Sequence, residues 1–111
     1  MKINARTVGD IQILDWSGKI TLGEGTMSVR NAVRDVLHSG KKKIILNLAD
    51  VSYIDSSGIG ELVSSYTHAR NKGATLVLVN LSTKVHQLMA VTKLLTVFEI
   101  YSDEKTALAG S

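Results

Sequence analysis

Ile44-Ile45-Leu46-Asn47-Leu48, then Asp55-Ser56-Ser57-Gly58, then Ile59, Leu62, Val63 and Tyr66: this order of residues decides the fold. The first run is short, β-branched at its start and almost continuously apolar, which predicts a central strand covered on both faces. The last four residues recur at i, i+3, i+4 and i+7, the spacing of one face of a helix, and Gly73 stops it. Between strand and helix, residues 49–58 read as a loop.

Working outward, Leu76-Val77-Leu78-Val79 repeats the buried-strand pattern and Asn80 ends it. Val85, Leu88 and Met89 predict a short helix capped by Ser82 or Thr83. Val97 to Tyr101 supplies a last strand, and Ser102-Asp103-Glu104 caps a terminal helix with acids placed well for its dipole. Upstream, Val29, Val33, Val36 and Leu37 predict an amphipathic helix from about Thr26 to Ser39, closed by Gly40, with His38 facing solvent. Ile11, Ile13 and Trp16 alternate loosely in a strand ending at Ser17-Gly18. Lys2 to Val8 pairs with it antiparallel through a Gly9-Asp10 turn. The element order is ββαβαβαβα. Strand–helix alternation implies parallel neighbours joined by right-handed crossovers, so the expected class is α/β, one domain over residues 1–111. Its sheet is mixed, of four to five strands, packed by about four helices.

Composition narrows the chemistry. The chain has 111 residues, no cysteine and no proline. Without cysteine there are no disulfides, thiolate metal sites or cysteine nucleophiles. An average chain of this length carries roughly five prolines, so glycine, asparagine, aspartate and serine must make the turns. His38, His68 and His86 lack the close paired spacing of a zinc motif, and no metal or cofactor is expected. The net charge of +3 rests on 13 basic against 10 acidic residues, and the one basic run, Lys41-Lys42-Lys43, reads as a solvated strand entrance. With 5% aromatic residues there is little to build a base-stacking platform, so no nucleic-acid partner is expected. No leader-like segment and no span of ~20 apolar residues is present, which places the expected protein in the cytoplasm without membrane insertion.

The loop before the second helix holds the chemistry, because function in open α/β sheets gathers at the carboxyl ends of strands. Four readings compete. Ser57 or Asp55 caps the helix while Gly58 and Gly60 allow close packing. Alternatively the loop binds phosphate, although Gly58-Ile59-Gly60 lacks the third glycine of a dinucleotide fingerprint and the Gly-Lys-Ser/Thr of a P-loop. A nucleophilic serine would need a histidine nearby, and neither His68 nor His86 can be placed there from sequence. Finally, one serine caps while its neighbour accepts a phosphate of roughly −1.5 to −2 charges beside Asp55, with Glu61 near. A partner docked over the loop would then lose affinity; about 2.7 kcal/mol is about a hundredfold.

The segment Leu46 to Gly60, with Asp55-Ser56-Ser57-Gly58 as its specific core, resembles the signature of bacterial anti-sigma-factor antagonists, the STAS-domain family. The likeness extends along nearly the whole chain and includes Ser17-Gly18 before the first helix and Leu94–Leu108, which resembles the family's closing strand and helix. It implies a mixed sheet with helices mainly on one side, and no catalytic residues. The implied function is a cycle in which the unphosphorylated antagonist binds an anti-sigma factor and frees the sigma factor. That anti-sigma factor, a histidine-kinase-like serine kinase, then phosphorylates the antagonist, and a PP2C-type phosphatase reverses the step. The phosphorylated serine maps onto Ser56; physics alone leaves Ser56 and Ser57 open. Asp55, Ser57, Gly58, Ile59, Gly60, Glu61 and Thr21 are the expected partner-binding residues. Many relatives read Gly-Glu-Leu-Asp where this chain has Gly18-Lys19-Ile20-Thr21, so the contact surface should suit a different kinase. Thr21 is either an ordinary strand-end threonine or a second phosphorylation site. The rival expectation is a STAS module in a permanent assembly, such as a stressosome scaffold or a lipid-transport complex.

Overall fold

In the computed structural model, which describes residues 2–109, the chain opens with the expected hairpin. Strand β1 (Lys2–Val8) pairs antiparallel with β2 (Ile11–Ile20), with Val8 opposite Ile11. Gly9 makes the two-residue turn at φ 59°, a conformation that costs a residue without a Cβ nothing. Then follow α1 (Glu24–His38), β3 (Lys43–Ile54), α2 (Ser56–Asn71), β4 (Thr75–Val79), α3 (Thr83–Val91), β5 (Glu99–Tyr101) and α4 (Glu104–Ala109). The strands lie side by side in chain order, β1-β2-β3-β4-β5, and every pair after the hairpin is parallel.

The sheet has two unequal covers. On one face Leu14, Trp16, Ile20, Ile44, Leu46, Leu48, Leu76 and Leu78 meet Val29 and Val33 of α1, Ile59 and Leu62 of α2, and Val85 and Met89 of α3. On the other, Ile13, Ile45, Val77 and Val79 pack under Ala107 of α4. Three helices on one side and one short helix on the other reconcile the two expectations: Ile44, Ile45 and Leu46 are wholly buried, while Ala49 and Asp50 farther along β3 are exposed. Where α4 stops, the second face turns polar. Arg6 donates from Nε to Asp15 Oδ2 (2.6 Å) and from Nη2 to Glu104 Oε1 (2.5 Å). Asn47 donates to Asp15 Oδ1 at 2.8 Å, and Asn80 donates to Asn47 at 3.1 Å. Hydrogen bonding to Arg6 holds the Asp15 carboxyl below the usual carboxylate range, against the opposing effect of its partial burial.

Two boundaries differ from the sequence reading and share a cause. β2 continues past Gly18 to Ile20, and the segment expected as loop, residues 49–54, is the second half of β3. The β2–β3 register slips twice: Asp15 faces Asn47 but Ser17 faces Asp50, and Gly18 faces Val51 but Lys19 faces Tyr53. Each slip inserts one extra β3 residue, as in a β-bulge. The inward residues of β3 therefore fall at Leu48, Val51 and Ile54, a spacing of three that no strand template matches. Helix α1 also starts earlier than Thr26, at Glu24, because Thr26 Oγ1 folds back onto the Gly23 backbone.

Candidate functional site

The connections leaving β2 and β3 are fastened to each other. Asp55 sits in extended conformation at the N-cap of α2, and its Oδ1 accepts the Gly58 N–H at 2.7 Å. Its Oδ2 accepts the Leu22 N–H at 3.1 Å, and its own N–H donates to the Ile20 carbonyl at 3.3 Å. One residue thus satisfies a free donor of the helix start and holds the β2–α1 connection against it. A Cβ added at Gly58 would lie 2.1 Å from the Ile20 oxygen and 2.7 Å from Ile54 Cγ1, so glycine is required by close approach. Gly25 of α1 presses on the same strand end: a Cβ there would stand 2.9 Å from the Lys19 oxygen. Gly60 has no such duty, since nothing lies within 4 Å of a Cβ at that position.

The capping alternatives are resolved in favour of Asp55, which leaves the hydroxyls of the two serines for other work. Ser56 is exposed as the first residue of α2, and Ser57 is half-buried. Thr21, also half-buried, accepts the Thr26 N–H on its carbonyl at 3.1 Å. Of the remaining residues expected at a partner surface, Gly60 is exposed, whereas Gly58, Ile59 and Glu61 are buried. The Glu61 carboxylate, expected to add to the acidity of the loop, instead accepts Arg30 Nη2 at 2.8 Å and Nε at 3.1 Å from the neighbouring helix. It braces α1 against α2 below the surface.

Further side chains outside the expected partner-binding set are exposed near this loop. Leu22 is 76% exposed although its N–H is tied down, and Met27 near the start of α1 is 47% exposed. Tyr53, also exposed, carries the Lys84 ammonium 4.9 Å from its ring centroid. The glycines that follow Leu22, Gly23 and Gly25, were the available signal for a presented side chain. The placement of Tyr53 depended on the bulges and had none.

Neither His68 nor His86 lines a cavity with Ser56. His68 lies twelve residues along α2, about 18 Å of helix away, in a groove with Arg30, Arg34 and Glu61. His86 lines a separate cavity with Leu81, Ile100 and Ser102. Among the described residues no three His, Cys, Asp or Glu side chains come together as a metal-holding group, and no helix is long and apolar enough to cross a membrane.

Fold and site together define a small α/β domain that presents a serine-bearing helix start at the carboxyl edge of a mixed sheet. The STAS domain model matches residues 2–107, and the chain belongs to that family. It is 36% identical over 66 residues to the anti-sigma-B factor antagonist of Listeria monocytogenes, a match covering 58% of each chain. It is 31% identical over 65 residues to the anti-sigma F factor antagonist of Paenibacillus polymyxa, covering 59% of this chain and 56% of that one. These matches span a little over half the length of both relatives. A crystal structure of a candidate anti-sigma factor antagonist from Thermotoga maritima superposes with a TM-score of 0.88 at 28% identity, covering 97% of this chain and 92% of that one.

Proposed function

We propose that this domain is an anti-sigma-factor antagonist whose binding is switched by phosphorylation of Ser56. It acts as a regulatory binding protein and not as an enzyme. In the unmodified state the surface formed by Thr21, Leu22, Ser56 and Gly60 docks on an anti-sigma factor that is also a serine kinase, and the sigma factor is freed. The kinase moves the γ-phosphoryl of ATP to Ser56 Oγ; ADP leaves with the former bridging oxygen, and the hydroxyl proton passes to a base of the kinase. A phosphatase of the PP2C type returns the serine by hydrolysis, releasing inorganic phosphate.

The observation that carries this reading is the division of labour at the start of α2: Asp55 does the capping and Ser56 stands exposed beside it. A phosphate there leaves the core untouched, so the fold survives while a packed interface meets bulk and charge. The relatives named as antagonists of anti-sigma factors support the choice of partner.

The test is incubation with ATP and a lysate of the native host, with the phosphate mapped by mass spectrometry. Incorporation at Ser56, lost in Ser56→Ala, is the expected result. Modification confined to Ser57 or Thr21, or none at all, overturns the reading.

A further inference from the structure

Tyr53 stands between two lysines. In the β2–β3 register it is the lateral partner of Lys19, and neighbours in a parallel ladder point to the same face. From the other side, Lys84 in the first turn of α3 places its ammonium over the ring. All three side chains are exposed, on the outward side of a strand end whose next residue, Ile54, points into the core. Ser56 follows Tyr53 by three residues, a chain distance of at most about 10 Å, and the lysine stems are flexible enough to close on a group between them. Two acids around this spot, Asp55 and Glu61, are engaged elsewhere. Asp55 holds the Gly58 and Leu22 N–H groups, Glu61 is paired with Arg30, Glu24 lies in the first turn of α1, and Asp50 lies farther back along β3.

We propose that Lys19 and Lys84, spaced by Tyr53, form a receiving site for the phosphoryl group on Ser56. This rests on the reading of Ser56 as the phosphate acceptor and adds what the phosphate does once there: it neutralises a basic patch. In the unmodified protein the two ammonium groups give the docking surface a positive flank. After modification the dianion lies between them, and the flank is lost together with the free hydroxyl. Tyr53 acts as a positioning residue, holding Lys84 by cation–π attraction.

The full chain with phosphoserine installed at position 56 by genetic encoding tests this directly, through the phosphorus NMR titration of the phosphate. An ordinary phosphoserine has its second ionisation near about 6. Here the titration should fall lower, by at least about threefold in the acid constant. Lys19→Gln and Lys84→Gln should each move it back, and the double variant should move it furthest. Tyr53→Leu, which leaves both charges, should give a partial return. Lys42→Gln, just before the opposite end of β3, should not move it. A wild-type value at or above the ordinary one, or a double variant that titrates like wild type, overturns the proposal. Because the phosphoserine is built in, these outcomes do not depend on any kinase. Phosphate mapping elsewhere in the lysate experiment would overturn the switch at Ser56 and leave this measurement standing.

Discussion

The N–H of Leu22 ends on the carboxylate of Asp55, 33 residues away in sequence, while the other oxygen of that carboxylate caps α2. The two oxygens are separable by substitution. Asp55→Asn keeps one acceptor for the Gly58 N–H, and asparagine is a good N-cap, but its amide cannot accept from Leu22. Asp55→Ala removes both bonds. The alanine variant should lose about 1–2 kcal/mol in urea denaturation and the asparagine variant about half of that or less. Amide exchange at Leu22 should accelerate in both.

Gly58 and Gly60, separated by one residue, should respond with opposite sign. Alanine at position 58 would drive its Cβ into the Ile20 carbonyl, a backbone group that cannot swing aside. A loss of about 3 kcal/mol is expected, at the upper end for overpacking. At position 60 there is open space in a helix, so alanine should stabilise by about 0.5–1 kcal/mol. Thermal and urea unfolding of the two variants check both signs.

The brace between Arg30 and Glu61 is asymmetric, since the arginine side chain is 61% exposed and the glutamate 6%. Arg30→Met should therefore cost about 1–3 kcal/mol at neutral pH by stranding a buried carboxylate. Glu61→Gln added to Arg30→Met should restore part of the loss. A double-mutant cycle by denaturation reads the coupling; strict additivity would show that the pair does not brace the helices.

Acid should weaken the fold through Asp15. Its folded-state pKa lies below the ordinary value, first because of the hydrogen bonds from Arg6. A depressed carboxylate contributes stability that is present above its unfolded pKa and lost as pH falls through the folded one. Stability should hold from neutrality to about pH 4 and then decline. Arg6→Gln should be less stable than wild type at neutral pH and show a shallower acid decline. Parallel pH profiles in urea test this.

The order of elements could be read from the sequence because period and punctuation agreed: Gly9, Gly40 and Gly73 all sit at positive φ where a turn or helix end was expected. Ser82 and Asp103 cap as expected, each accepting the N–H three residues on. The second half of β3 was illegible for a physical reason. Its bulges change the inward spacing from two to three, so Leu48, Val51 and Ile54 look like no strand. The same shifts put Lys19 beside Tyr53 and hid that juxtaposition. Ser56 was singled out by motif and Glu61 by proximity; only tertiary packing reveals that the first is exposed and the second is spent on Arg30.

At Ile20 a single backbone carbonyl receives the Asp55 N–H and excludes any side chain at Gly58, while the strand around it excludes one at Gly25. Apart from the Asp55 carboxylate, the alignment of the loops is thus written in main-chain atoms and in the absence of side chains. The side chains of Lys19, Leu22 and Lys84 hang outward from that frame and bear none of it. Their identities can drift without reopening the question of whether the chain folds, while Gly25 and Gly58 tolerate almost no drift. A lineage of such domains could acquire new recognition partners by exchanging a handful of outward residues, each duplicate diverging from its parent in whom it answers to before it diverges in shape.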